Sequence, residues 1–238
     1  MAFLAAVVCV RAQSGLDQPR LGMMLDARGA LRPVLGIAAS VTVGGAAATE
    51  AVSFGCSRGR CLIKTAGASL EGSQWAAAPE GGALFAIGRG DALVYFPALR
   101  QLARWHAGQL EPIDLDIPGD VLALRSVSPE AVDFATRLNS GISIMRVRLT
   151  DGQIELRGQF PRIEGPAMLL EDGVLFAVRD TVILRRDDAT ELRFPAVGVT
   201  QFFAAGDGLI QVRTRLGQFA LRTARGRELL FQIPEIQP

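Results

Sequence analysis

The chain has 238 residues, of which 49% are hydrophobic and 21% charged, with a formal net charge of +1. This balance is typical of a globular protein with a sizeable core and excludes a disordered chain. Lys64 is the single lysine, and the arginines are spread among nearly as many acids, so no basic stripe predicts nucleic-acid binding. The 26 glycines and 12 prolines favour many short strands joined by tight turns.

The first dozen residues predict an export signal. An apolar run over residues 2–10 is followed by a small-residue cleavage pattern that ends at Ala12. The run is short and lacks a positive n-region, so an apolar N-terminal strand is the alternative, and a lipid anchor at Cys9 is a minor one. It is too short to span a bilayer, which takes ~20 apolar residues. We therefore expect a signal peptide at 1–12, a single domain over 13–238, a periplasmic or extracellular location and no transmembrane segment.

A hairpin over residues 21–37 is predicted next, with its turn at 26–29. It amounts to half of the repeat unit found later in the chain. Because an isolated two-stranded hairpin is marginal in water, we expect it to pair with the C-terminal segment 227–233 and so close the fold. The Ala/Gly-rich stretch that follows predicts a connection with a small strand at 40–43.

Two cysteines flank a short turn, Cys56 and Cys61, with Gly59 between them. In a hairpin these thiols would face each other where the strands begin. A structural disulfide in an oxidising compartment is the favoured interpretation, followed by two free buried thiols and, last, a redox site, whose spacing would differ. A zinc site needs about four nitrogen or sulfur ligands, which His106, the only histidine, cannot complete.

Residues 98–106 permit two structures. Helical spacing of the apolar positions favours a short helix, whereas flanking Pro97 and Gly108 favour an extended hairpin. His106 lies at the end of this stretch. As a general base it would need an orienting partner that the sequence cannot place, so we expect a structural role. No Gly-x-Ser-x-Gly elbow and no Gly-rich phosphate loop occurs in the sequence, and no catalytic residue, metal or cofactor is predicted.

Three acids lie close together in the sequence after His106, namely Asp114, Asp116 and Asp120. They could supply oxygen ligands for calcium. Asp114 and Asp116 would also share the solvated face of an outer strand, and this simpler interpretation is favoured.

Two arginine pairs sit at alternate positions of predicted strands, Arg146 with Arg148 and Arg213 with Arg215. Such a pair could hold an anionic ligand. More often these charges cover strand edges and discourage aggregation.

A repeat is clearest near the C-terminus, where the segment from Asp172 to Gly198 returns from Asp207 to Ile236. Each copy has an entry turn, three short apolar strands and a closing proline. Closing prolines and Gly-Gly or Asp-Gly turns extend the pattern backwards at a period of roughly 40 residues, close to the ~40–45 residues of a four-stranded propeller blade. Alternation over 153–160 predicts an outer strand with Ile154, Leu156 and Phe160 on one face.

The repeat units resemble those of β-propeller proteins in general, over most of residues 38–238. The Trp-Asp pairs of WD repeats are absent, since Trp75 and Trp105 precede other residues, and so is the double-glycine rhythm of kelch repeats. The resemblance implies an all-β propeller of five or six blades of short antiparallel strands.

Function is predicted less specifically, because one propeller frame carries many activities. We expect an exported, non-enzymatic binding or assembly module that meets a protein or small ligand through rim loops such as Arg58 and Arg60. The alternative is a propeller hydrolase or lyase, in which acids from several blades converge at the central channel. Three or more acids in the channel would favour it.

Overall fold

A computed structural model of the chain describes residues 18–234. The signal peptide predicted at 1–12 lies outside the described residues. Within them, no helix is long and apolar enough to cross a membrane.

The described chain is built from antiparallel β-meanders. A three-stranded sheet comes first and contains β1 (Arg20–Leu25), β2 (Leu31–Ile37) and β3 (Ser40–Val43). Five four-stranded units follow, and we number them 1 to 5. Units 1 and 2 contain β4 (Ala51–Ser57), β5 (Arg60–Thr65), β6 (Ala68–Glu71), β7 (Gln74–Ala77), β8 (Leu84–Ile87), β9 (Ala92–Phe96), β10 (Gln101–His106) and β11 (Gln109–Ile113).

Units 3 to 5 repeat the same order of strands. They contain β12 (Asp120–Ser128), β13 (Ala131–Leu138), β14 (Gly141–Arg148), β15 (Ile154–Pro161), β16 (Ala167–Leu170), β17 (Gly173–Val178), β18 (Thr181–Arg186), β19 (Glu191–Pro195), β20 (Val199–Gly206), β21 (Leu209–Thr214), β22 (Gly217–Arg222) and β23 (Leu229–Gln232). In every unit each strand pairs with the next one in sequence.

The first strands of the five units surround one axis. β4 contacts β8, β8 contacts β12, β12 contacts β16, β16 contacts β20, and β20 returns to β4. At this last junction β20 and β4 run parallel and pair through Ala205 and Cys56, so units 5 and 1 form one eight-stranded sheet. The propeller class predicted from the sequence is therefore confirmed.

Apolar side chains fill the space between neighbouring units. Tyr95 of unit 2 meets Phe134 of unit 3 edge-on, with ring centroids 6.4 Å apart. Phe160 and Phe176 join units 3 and 4 at 5.3 Å, and Phe54 stacks on Phe203 across the junction of units 1 and 5 at 5.2 Å. Burial of these apolar side chains between neighbouring units thus holds the ring together.

The N-terminal sheet packs where the ring closes, with β1 against β4, β20 and β21. Gly22 allows this close approach, since a Cβ there would lie 2.5 Å from the carbonyl oxygen of Ala205. The predicted pairing of residues 21–37 with 227–233 is wrong. β23 pairs with β22 instead, because the last unit is already complete and β2 finds its second partner in β3.

Of the two local predictions, for residues 98–106 and 153–160, the first is resolved by the structure and the second is right only in part. Residues 101–106 are extended as β10, so the hairpin alternative is the right one. The outer strand predicted at 153–160 is present as β15, but Ile154 and Leu156 are exposed while Phe160 packs on Phe176. A bulge makes the difference. Leu156 pairs with Met145 and Gly158 with Ile144, so one extra residue turns the two halves of β15 to opposite faces.

Candidate functional site: the channel mouth

A cavity of about 1000 Å³ lies at one end of the axis, where the first strand of each unit ends and turns into the second. We call it the channel mouth. All five units contribute, through residues 56–58, 85–91, 124–129, 168–172, 204 and 206–208. Because each turn follows the innermost strand, five separate short loops converge on one opening.

The loop of unit 1 is a tight two-residue turn closed by a disulfide. Arg58 and Gly59 have φ angles of 55° and 73°, the left-handed conformation that such hairpin turns require. Cys56 and Cys61 face each other as a cross-strand pair and form the predicted disulfide. The cross-link fixes the base of the turn, and with it the position of Arg58.

Arg58 links three units across the mouth. Its backbone N–H donates to Oδ1 of Asp207 at 2.6 Å, which joins units 1 and 5. Its Nη2 donates to Oε1 of Glu171 at 2.6 Å, in the turn of unit 4. Both contacts are exposed to solvent, so they orient the loops more than they stabilise the fold.

A second network is centred on Arg186, whose side chain is 3% exposed. It pairs with Asp172, donates to the carbonyl oxygen of Thr223 and lies 3.0 Å from Glu228. On the solvent side of Asp172, Nε of Arg225 lies 3.1 Å from its Oδ2. Asp172 is therefore held between two guanidinium groups.

Asp188 stands at the outer end of this network. Its carboxylate accepts a hydrogen bond from Nη1 of Arg225 at 2.7 Å, and this contact lowers the pKa of Asp188 to about 2.

Asp91 carries the third network. Nδ1 of His106 lies 2.8 Å from its Oδ1, and Nη1 of Arg104 donates to its Oδ2 at 3.1 Å. The hydrogen bond with His106, helped by Arg104 and opposed by partial burial, lowers the pKa of Asp91. Asp91 is thus the orienting partner that His106 would need as a general base. However, His106 itself is 65% exposed and does not line the mouth.

The mouth has more cationic than anionic side chains. Four carboxylates line it, Asp91, Glu171, Asp172 and Asp207. Six arginines line it as well, namely Arg58, Arg89, Arg104, Arg125, Arg186 and Arg225. Every one of the four carboxylates accepts a hydrogen bond from an arginine side chain or backbone, whereas Arg89 makes no ion pair within residues 18–234.

These contacts position the loops around the mouth. The pKa of Asp91 is lowered, which is the opposite of the raised pKa that a general acid needs. No group of three or more potential metal ligands occurs in the described part of the chain. The groups that the mouth presents are guanidinium groups, carboxylates and the apolar side chains between them.

The remaining sequence candidates lie elsewhere. Asp114, Asp116 and Asp120 are exposed, the first two in the connection after β11 rather than on an outer strand. Arg148 pairs with Asp151, and Arg213 lies over the ring of Phe203 with its Cζ atom 5.0 Å from the centroid.

The other loop arginine named from the sequence, Arg60, does not line the mouth. It forms two hydrogen bonds to Glu71 and one to the carbonyl oxygen of Gly90.

The sequence did not single out Arg125, Arg186 or Arg225. Asp172 lies in the turn between β16 and β17, but its partners lie 14 and 53 residues further along the chain. A usable signal was present, because the turn after the first strand of every unit contains an acid or an arginine, namely Arg58, Arg89, Glu130, Glu171 and Asp207. Assigning the mouth required knowing which end of each strand meets the axis.

No family model and no curated protein matches this sequence. Solved structures with a similar fold include PorZ, a surface component of the type-IX secretion system of Porphyromonas gingivalis, at 12% identity and a TM-score of 0.49. The match covers 93% of this chain and 39% of PorZ. The extracellular domain of a one-component system of B. thetaiotaomicron matches at 11% identity and a TM-score of 0.48, over 94% of this chain and 34% of that one.

A chain of the nidogen/laminin complex matches over a comparable length, 89% of this chain and 93% of its own, with 10% identity and a TM-score of 0.59. This chain therefore spans about a third to two fifths of the first two proteins but nearly all of the third. At such identities the likeness shows the fold alone.

Proposed function

We propose that the chain is an exported, non-enzymatic five-bladed β-propeller that binds a ligand or protein partner at the channel mouth. The blade count rests on the closed order of first strands, in which β20 of unit 5 returns to β4 of unit 1. The N-terminal sheet is a wedge beside that closure rather than a sixth blade, because β4 and β20 pair directly.

One observation carries the binding role. Loops from all five units converge on a cavity of about 1000 Å³, the upper end of the ~300–1,000 Å³ usual for ligand sites. Two arginine–carboxylate pairs join units across its rim, Arg58 with Glu171 and Arg225 with Asp172, and Arg89 is left without a carboxylate in the described chain.

The second candidate, a hydrolase or lyase, is favoured by the four carboxylates and by the contact of His106 with Asp91. The four acids meet the expectation of three or more acids in the channel. Three of them, Asp91, Glu171 and Asp172, are already engaged in ion pairs with arginine side chains, and this weighs against catalysis. A binding role explains both the acids and the arginines.

Export is supported by the disulfide between Cys56 and Cys61, since disulfides persist in oxidising compartments. A location in the periplasm or outside the cell also agrees with the apolar segment at 2–10.

The binding site can be tested by filling it. Val127 lines the mouth and is 42% exposed, while Val52 lies on β4 outside the mouth and is 41% exposed. We expect Val127→Trp to remove the contacts seen by saturation-transfer NMR with a library of small molecules that carry no phosphate or sulfate group. Val52→Trp is the matched control and should leave them unchanged. Contacts that persist in Val127→Trp would place binding elsewhere and contradict the proposal.

A further inference from the structure

A second, smaller cavity opens between units 3 and 4, with a volume of about 380 Å³. We call it the arginine cleft. β14 and β15 form one wall, and β17 and β18 form the other. Five arginines line it, namely Arg125, Arg146, Arg157, Arg185 and Arg186.

The arginines of the cleft differ in how far their charge is balanced. Arg186 pairs with Asp172 and Glu228, and Arg157 pairs with Glu155. Arg125 and Arg146 share the one carboxylate of Asp133, and Arg185 has no ion pair in the described chain. A guanidinium group without its own counter-charge, held beside low-dielectric walls, attracts anions from solvent. The interface between the two units is itself filled by apolar side chains such as Phe160 and Phe176.

Asp133 prearranges two of the guanidinium groups. Its side chain is 1% exposed and accepts hydrogen bonds from Nη2 of Arg125 at 2.5 Å and from Nε and Nη2 of Arg146 at 2.7 and 3.0 Å. Arg125 uses its other nitrogen on the backbone of unit 4. Nη1 of Arg146 has no acceptor among residues 18–234 and remains available to a ligand.

Two arginines at the opening are less committed. Arg185 is exposed and makes no ion pair within the described chain, and its Cζ atom lies 5.6 Å from the ring centroid of Phe160. Arg157 reaches only Glu155, on its own strand, at 2.7 Å. The aromatic ring limits the motion of the Arg185 guanidinium group without using its N–H donors. The opening therefore presents the N–H donors of Arg185, and those of Arg157 that Glu155 does not use, to solvent.

We propose that the arginine cleft binds a tetrahedral oxyanion, a phosphate or sulfate group, separately from the ligand of the channel mouth. Planar guanidinium groups donate two parallel hydrogen bonds to such an anion, a geometry that a point charge such as lysine cannot reproduce. Arg146, Arg157 and Arg185 supply the open donors, and Asp133 holds Arg146 in place. The group is either a free ion or the ester of a larger molecule.

The test is an NMR titration of the Arg Nε–Hε resonances in the full chain. The probes are inorganic phosphate, inorganic sulfate, phosphoserine and a sulfated disaccharide, each compared with chloride at equal ionic strength. We expect saturable shifts with phosphate or sulfate and none with chloride. Tighter binding of an ester than of the free ion identifies a larger ligand. Shifts no larger than those with chloride would overturn the proposal.

Three variants locate the site. Arg185→Ala should weaken binding about tenfold, the loss expected for one charge-assisted contact. Arg227→Ala is the matched control, because Arg227 is exposed and lines neither cavity. Val127→Trp, which fills the channel mouth, should leave oxyanion binding unchanged, so this proposal and the proposed function fail independently. Equal affinity of Arg185→Ala and wild type would overturn it.

Discussion

The side-chain amide of Gln211 forms with Leu25 the two hydrogen bonds that a residue of a neighbouring strand would form. Its Oε1 accepts the N–H of Leu25 at 2.9 Å, and its Nε2 donates to the Leu25 carbonyl oxygen at 2.9 Å. Gln211 is fully buried on β21, and Leu25 ends β1. One glutamine thus joins the N-terminal sheet to unit 5 across 186 residues of sequence.

Replacing Gln211 by leucine should destabilise the protein by about 1–3 kcal/mol, the cost of leaving a buried backbone N–H without a partner. The carbonyl oxygen of Leu25 keeps a second donor, Nη2 of Arg213 at 3.0 Å. Urea unfolding measures the change. Gln232→Leu is the control, because Gln232 is exposed on the outer strand β23. Equal midpoints for the two variants would show that the amide pairing is not stabilising.

Removing the carboxylate of Asp133 should cost more. Asp133→Asn leaves Arg125 and Arg146 partly buried without their counter-charge, and breaking such a pair costs about 3–5 kcal/mol. For a chain of this length that is a drop of roughly 6–20 °C in melting temperature. Asp151→Asn is the control, since Asp151 pairs with Arg148 in solvent and should lose less than about 1 kcal/mol.

The effect of Asp133 should also depend on pH. Burial raises its pKa, but hydrogen bonds from Arg146 and Arg125 outweigh burial, and the pKa lies below its ordinary value of 3.8. A lowered native pKa stabilises the fold fully above the unfolded value and loses that contribution as pH falls through the native value. The stability gap between wild type and Asp133→Asn should be constant from pH 7 to about 5 and shrink below about 4. A gap that widens in acid would contradict this assignment.

The disulfide should contribute modestly. Closing a loop of five or six residues corresponds to about 2 kcal/mol in the chain-entropy model, which is about 4–8 °C in melting temperature here. Reductant should lower the melting temperature of wild type by that amount and leave the Cys56→Ser, Cys61→Ser double variant unchanged. Thiol titration of the denatured, unreduced full chain should count one cysteine, Cys9. Three thiols would show that the bond does not form.

The units and the short hairpins could be predicted from sequence because they are local. Asp-Gly turns, closing prolines and the Cys56–Cys61 spacing each act within a few residues of chain. Ring closure could not be predicted, because the Ala205–Cys56 pairing joins residues far apart and is a single parallel bridge. The bulge in β15 escaped detection because Ile154, Leu156 and Phe160 fit strict alternation in the sequence.

The site was harder still. Arg58, Glu171 and Asp207 belong to three units, and nothing in their local sequence links them. Arg146 was singled out with Arg148, its neighbour two residues along the strand. In the structure Arg146 pairs with Asp133 on the adjacent strand, and it lines the arginine cleft together with arginines from units 3 and 4.

The binding role is tested most directly by asking whether the channel mouth catalyses any reaction. A panel of hydrolase and lyase substrates should be run on wild type, on Val127→Trp and on His106→Ala. We expect no turnover above background for any of the three, because the carboxylates of the mouth are held by arginines and His106 lies outside it. Robust wild-type turnover that is lost in Val127→Trp or His106→Ala would contradict the binding role and establish an enzyme.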